Sequence, residues 1–181
     1  MNLANDTKAQ AKRLKLMAFD VDGVLTDGAL YYTDEGIEIK AFNTLDGHGL
    51  KMLQQSGIAV AIITGRKARC VELRMQNLGI DLLYQGCENK WETMQTLLTK
   101  LGLDADEAGY MGDDVVDLPV MNACGFSAAP ADAHALTKRH ARMVASKTGG
   151  HGAAREVCEF ILDAKDQLET ALAPYLRVPG R

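Results

Sequence analysis

No apolar run in this chain approaches the ~18 residues that cross a bilayer. The first fifteen residues are polar and mixed in charge, without the apolar centre of a secretory signal. Cys70, Cys87, Cys124 and Cys158 form no C-x-x-C pair and no zinc spacing, which excludes a compact disulfide framework and predicts reduced, buried thiols. Cations are not in excess, with 20 Lys and Arg against 24 Asp and Glu and a formal net charge of -4. That balance excludes a general polyanion binder, so any anionic ligand must be held by local cations. His48, His134, His140 and His151 stand at no metal-ligand spacing and read as structural or exposed. There is no internal repeat, low-complexity block or interdomain linker. These absences predict a cytoplasmic protein without a nucleic-acid or membrane partner. What remains is 181 residues, 47% of them hydrophobic, enough for one domain with a sizeable core in which the eight methionines are packing residues.

Leu16-Met17-Ala18-Phe19 and the run over 58–63 are short, continuous apolar segments, the pattern of strands covered on both faces. Between them, 29–33 and 37–42 are rich in β-branched and aromatic residues and flank Asp34-Glu35-Gly36, which predicts a hairpin. Helical periodicity follows over 49–55, 68–78, 90–101 and 154–172. Shorter apolar segments lie between at Leu82-Leu83-Tyr84, Gly109-Tyr110-Met111 and Gly125-Phe126-Ser127. Alternating strands and helices predict an α/β fold with a doubly wound, mostly parallel sheet. Gly57 and Gly79 stand where left-handed helix C-caps belong. The expected organisation is a single domain over 1–173 with a hairpin insertion at about 28–43. A tail over 174–181, with two prolines and a glycine, is expected to be extended or mobile.

Ligands of such sheets bind beyond the carboxyl ends of the strands, so the strand exits carry the chemistry. The first exit is Asp20-Val21-Asp22-Gly23, the second Thr64-Gly65-Arg66. Lys90 opens a helix after Gly86-Cys87-Glu88-Asn89, and Gly112-Asp113-Asp114 with Asp117 follows the strand at Tyr110. Each alone has an ordinary explanation as a helix cap or surface charge. Together they assemble what phosphate-monoester hydrolysis needs, a reaction whose enzymes supply up to ~10²¹-fold acceleration. A carboxylate nucleophile divides the displacement in two, and a second carboxyl protonates the departing alkoxide and then deprotonates water. Asp20 and Asp22 fit those two roles. Like-charge repulsion between carboxylate and phosphate calls for Mg²⁺ and a fixed cation, with Asp20, Asp113 and the Asp22 carbonyl as oxygen donors and Lys90 as the cation. Thr64 offers a hydroxyl to a phosphate oxygen, and Gly65 lets the backbone come close.

In this order the four segments resemble the motifs of the haloacid dehalogenase superfamily: D-x-D-G, then S/T, then K, then G-D-D-x-x-D. The resemblance spans residues 19–117. It implies a Rossmann-like core, Asp20 as nucleophile, Asp22 as acid/base, Thr64, Gly65 and Lys90 on phosphate, and Asp20, Asp22 and Asp113 on Mg²⁺. It also implies that Asp114 and Asp117 orient the metal site. The lack of a cap domain, the stretch Asp20-Val21-Asp22-Gly23-Val24-Leu25-Thr26-Asp27-Gly28, and the late Gly149-Gly150-His151-Gly152-Ala153-Ala154-Arg155-Glu156 resemble a capless subclass. Its substrate is the 8-phosphate of 3-deoxy-D-manno-octulosonate, a lipopolysaccharide precursor. That likeness implies a homotetramer in which the hairpins build a small barrel and a neighbouring subunit helps cover the site. It also makes Arg66, Arg74 and Arg155 candidates for the sugar and its carboxylate, a bidentate role suited to arginine. Phosphatases of nine-carbon sugar acids are the alternative within the superfamily. A receiver domain, which would place its acidic pair at the first strand and its lone phosphoacceptor in the middle, does not match this order. A silent binding relative would not need both Asp20 and Asp22.

Overall fold

The computed structural model describes residues 3–177. Helix α1 (Leu3–Arg13) leads into β1 (Leu16–Phe19). Then come the two short strands β2 (Tyr31–Tyr32) and β3 (Glu38–Ile39), α2 (Thr44–Gln55), β4 (Ala59–Thr64), α3 (Arg69–Leu78), β5 (Leu82–Gln85) and α4 (Lys90–Leu101). They are followed by β6 (Ala108–Met111), α5 (Leu118–Ala123), β7 (Phe126–Ala129), α6 (Ala135–His140), β8 (Met143–Val144), α7 (Ala153–Ala164) and α8 (Leu168–Leu176). The main sheet has the order β5-β4-β1-β6-β7-β8, and every neighbouring pair in it is parallel. β2 and β3 pair antiparallel as a separate hairpin. No helix among the described residues is long and apolar enough to cross a membrane.

The continuous apolar strands have a physical reason. Successive side chains point to opposite faces, and here both faces are buried. Met17 and Phe19 of β1, Val60 and Ile62 of β4 and Phe126 of β7 pack with Leu50 and Leu53 of α2, Met75 of α3 and Val157 and Ile161 of α7. Leu16, Ala18, Ala61, Ile63 and Tyr110 face the other way, against Met94, Leu97 and Leu98 of α4 and Val120 of α5. Burying the central strands β1, β4 and β6 this way leaves their charged residues to the exits.

The structure corrects three boundaries and adds one helix. α2 begins at Thr44 rather than 49, because Asn43 caps it by accepting the Leu45 N–H. Gly49 lies inside the helix because α7 packs closely on it: a Cβ there would lie 3.0 Å from the Arg155 backbone. The single helix expected over 154–172 is two, α7 and α8, separated by a turn in which Asp166 adopts φ 58°. The tail expected from 174 onward is not extended at its start, since α8 runs through Pro174 to Leu176; residues 178–181 lie outside the described residues. Helix α1 carries no motif that the sequence reading recognised, yet it docks beside α7 and buries Ala11.

Candidate active site

Register brings the exits of β1, β4 and β6 level, with Phe19 beside both Ile62 and Met111. The Asp20 N–H donates to the Met111 carbonyl at 3.0 Å, which fixes the first exit against the third. The Asp20 carboxylate is nearly buried; Oδ1 accepts the Val21 N–H at 2.7 Å and Oδ2 the Lys90 ammonium at 2.5 Å. Lys90 is the first residue of α4, whose Asn89 cap accepts the Glu92 N–H. Its ammonium also reaches Asp117 Oδ1 at 2.6 Å. Asp117 is fully buried: its Oδ2 accepts the N–H groups of Asp113 and Asp114 at 3.0 and 3.2 Å, and the Tyr110 hydroxyl lies 3.2 Å from Oδ1.

One ammonium faces several carboxyls here. Burial, assisted by Asp117, Asp20 and Asp114, pushes the Asp113 carboxyl up to about 7. Burial likewise raises Asp20 above its ordinary value against the pull of Lys90. The Lys90 ammonium is held charged, its pKa raised because the attraction of Asp20 and Asp117 exceeds the cost of burial. Oxygens of Asp20, Asp113 and Asp117 lie within 4.8 Å of one another. A hard divalent cation fits this excess of buried negative charge. Asp117 already spends its oxygens on Lys90, Tyr110 and two N–H groups, so Asp20 and Asp113 are the carboxylates that could hold Mg²⁺ and Asp117 the one that orients them. Gly23 is part of the same arrangement. It adopts φ 80°, and a Cβ there would collide with the Asp113 carboxylate.

Asp20, Asp22, Thr64, Arg66, Lys90 and Asp113, with Gly65 and Asp114, line one cavity of about 380 Å³. Thr64 is buried at the end of β4 and Gly65 follows it. The Asp22 carboxylate does not join the acidic group. It is turned toward the hairpin, where it accepts from the buried Lys40 ammonium and lies 3.8 Å from the Arg66 Nε. Of Asp22 this leaves the main-chain carbonyl as the donor available to a metal. Arg66 reaches the cavity while donating to Glu38 at 3.1 Å and to the Tyr32 hydroxyl at 2.8 Å.

Two expected substrate arginines are placed elsewhere. Arg74 donates to the Asn43 carbonyl and to Asn77 and stacks 6.0 Å over Phe42, joining α3 to the start of α2. Arg155 pairs with Glu159 on α7 and packs on Gly49. Neither lines the cavity of its own chain. The late glycine stretch does come close, because Gly149 and Gly150 pack on the backbone of Gly23 and Thr26 with no room for a Cβ. Lys40 and Glu38 were missed. Their spacing along a strand places both on one face, but nothing in the sequence tells which face meets Asp22.

A model of the haloacid dehalogenase-like hydrolases matches residues 85–157, from the end of β5 into α7, thereby including Lys90 and Asp113. The 3-deoxy-D-manno-octulosonate 8-phosphate phosphatase KdsC of Escherichia coli (strain K12) is 48% identical over 166 residues, 92% of this chain and 88% of that protein. The Yersinia pestis enzyme of the same name is 46% identical over 93% of this chain and 90% of its own. Among solved structures, a probable YrbI family phosphatase from Pseudomonas syringae superposes with a TM-score of 0.94 at 48% identity, covering 96% of this chain and 99% of that one. The Moraxella catarrhalis 3-deoxy-D-manno-octulosonate 8-phosphate phosphatase, solved with magnesium, phosphate and KDO, gives a TM-score of 0.92 at 42% identity, covering 94% and 98%. By its fold, its strand-exit residues and these likenesses over nearly its whole length, the chain belongs to the 3-deoxy-D-manno-octulosonate 8-phosphate phosphatase family of haloacid dehalogenase-like hydrolases.

Proposed function

We propose that the protein hydrolyses 3-deoxy-D-manno-octulosonate 8-phosphate to 3-deoxy-D-manno-octulosonate and phosphate, with Mg²⁺ as cofactor. The observation that carries this is the separation of two carboxylates only two residues apart. Asp20 is bound into the Lys90–Asp117–Asp113 group, whereas Asp22 is held apart by the hairpin. Groups in different electrostatic surroundings suit different tasks.

The Asp20 carboxylate attacks phosphorus while the bond to the sugar's C8 oxygen breaks, and Asp22 gives that oxygen its proton. Water then attacks the aspartyl phosphate and surrenders a proton to Asp22; phosphate leaves and the Asp20 carboxylate is restored. Lys90 offsets charge on the transferring group and holds Asp20 in line. The Thr64 hydroxyl and the backbone at Gly65 donate to phosphate oxygens. Asp20, Asp113 and the main-chain carbonyl of Asp22 would hold magnesium, with Asp114 and Asp117 orienting them, and the bound ion would supply charge neutralisation between nucleophile and phosphate. Arg66 is the cavity arginine suited to the sugar acid's carboxylate.

On this reading the step belongs to lipopolysaccharide precursor synthesis in the cytoplasm and is performed by one domain over residues 1–173. The exposed apolar side chains of the hairpin, Leu30, Tyr31, Tyr32, Ile37 and Ile39, support a homotetramer in which a neighbouring subunit covers the site. Arg74 and Arg155, absent from their own chain's cavity, have a ligand role only in such an assembly.

The test is phosphate release from octulosonate 8-phosphate, a nine-carbon sugar acid 9-phosphate and hexose phosphates, with and without Mg²⁺. The octulosonate ester turns over fastest, Mg²⁺ removal abolishes turnover, and Asp20→Asn lowers kcat by at least ~10³-fold. Equal rates across the panel reject the substrate, and a fully active Asp20→Asn protein rejects the mechanism.

A further inference from the structure

Asp22 is gripped on one side only. Its Oδ1 accepts from the Lys40 ammonium, whereas its Oδ2, though buried, has no hydrogen-bond partner among the described residues. The Arg66 Nε, 3.8 Å from Oδ2, is too far to bond it. Lys40 directly follows β3, and its side chain is 1% exposed. Its ammonium also lies 2.6 Å from Glu38 Oε1, so it is paired with two carboxylates. Burying an ammonium is unfavourable unless it is paired, and an apolar side chain would fill the same space at lower desolvation cost. A hairpin needs no buried lysine in order to fold. Lys40 does not line the cavity, so it is not placed to touch substrate.

We infer that Lys40 is a positioning residue for proton transfer: by clamping Asp22 Oδ1 it holds the carboxyl at the cavity wall in place for the oxygen that leaves phosphorus. This rests on Asp22 being the acid/base. In the first displacement the bond from Asp20 to phosphorus forms, the bond from phosphorus to the C8 oxygen breaks, and the proton of the Asp22 carboxyl moves to that oxygen. In the second, a proton of the attacking water returns to the Asp22 carboxyl as the aspartyl phosphate is cleaved. Lys40 neither gains nor loses a proton in either step. Its contribution is the aim of the carboxyl, which hydrogen-bond geometry makes strongly angle-dependent. Through it the hairpin, an element outside the main sheet, takes part in the chemistry of the β1 exit.

The experiment compares leaving groups in the full-length, Mg²⁺-saturated enzyme. An alkoxide needs the proton from Asp22; the p-nitrophenolate of p-nitrophenyl phosphate leaves without one. kcat/KM reports the first displacement for both substrates. Lys40→Met should lower kcat/KM for octulosonate 8-phosphate by about 10-fold or more, within the roughly 10²–10⁴-fold that general acids contribute, and should change the aryl phosphate value by less than about 3-fold. Lys40→Arg, which keeps a cation facing Asp22, should recover part of the loss. In an Asp22→Asn background the Lys40→Met change should add less than about 3-fold for the sugar ester, because its route of action is gone. If Lys40→Met does not fold, Glu38→Gln combined with Lys40→Met removes the ion pair together and should show the same selective loss. Equal losses on both substrates, or additive losses with Asp22→Asn, overturn the proposal for Lys40. Should Asp22→Asn itself show no leaving-group selectivity, the acid/base reading of Asp22 falls, and the Lys40 proposal with it.

Discussion

Asp113 is where charge, metal and stability meet. Its carboxyl is pushed up to about 7 by burial and by Asp117, Asp20 and Asp114, whereas in an unfolded chain it titrates near 4. Between those two values the folded chain holds the proton and the unfolded chain does not. The metal-free fold therefore loses stability as pH rises through that window. Asp20 and Asp46, also raised, act in the same direction. The lowered carboxyls of Asp27, Glu107 and Asp166 oppose it, but they lie on the surface where solvent screens them. On the proposed reading a bound divalent cation would take the place of the Asp113 proton, so Mg²⁺ should raise the melting temperature more at pH about 8 than at about 5.5. Asp113→Asn should flatten that difference, and an Mg²⁺ effect independent of pH in the parent protein would contradict the assignment. At this scale the sequence was most legible. Asp20, Asp22, Thr64, Lys90 and Asp113 stand at strand exits that the apolar runs mark, and the structure gathers all five around one cavity. Lys40 and Tyr110 were not legible, because each matters through contacts that no local pattern reveals: Asp22 for the first, Asp117 and the Ile63 carbonyl for the second.

Helix α7 shows how an element depends on another for its start. Its N-cap, Gly152, has no side chain to accept an N–H, and Asp46 of α2 takes over that task, accepting from Gly152 at 3.1 Å and Arg155 at 2.9 Å. The close packing of the two helices permits this, with Gly49 providing the room. The arrangement also steadies the 149–152 loop, which packs on the backbone of the Asp20-to-Gly28 segment. Loss of a cap costs about 0.5–2 kcal/mol. Asp46→Ala should destabilise the fold by about 1–2 kcal/mol in urea unfolding, whereas Asp46→Asn, which keeps an acceptor, should cost less. An unchanged midpoint for Asp46→Ala would show that α7 starts without it. Helix α4 was readable to the residue because Asn89 and Gly102 bracket it. α2 was not, since its glycines answer to a neighbouring helix rather than to local propensity.

For the whole molecule, the hairpin leaves Leu30, Tyr31, Tyr32, Ile37 and Ile39 between 46% and 61% exposed, more apolar surface than a two-stranded unit keeps in water without a partner. Light scattering of the parent protein should report four chains. Ile37→Asp with Ile39→Asp should yield smaller species with reduced turnover and unchanged helix content, since neither side chain belongs to the core. A monomeric parent would reject the tetramer. The α/β class, the central strands and the order of the acidic, hydroxyl and amine groups can be read along the chain, because hydrophobic periodicity and motif order are local properties. Which charges face one another cannot. Folding puts Lys40 on Asp22, buries Asp117 beneath Lys90, and turns Arg74 and Arg155 to packing within their own chain, since direction and burial arise only when remote segments meet.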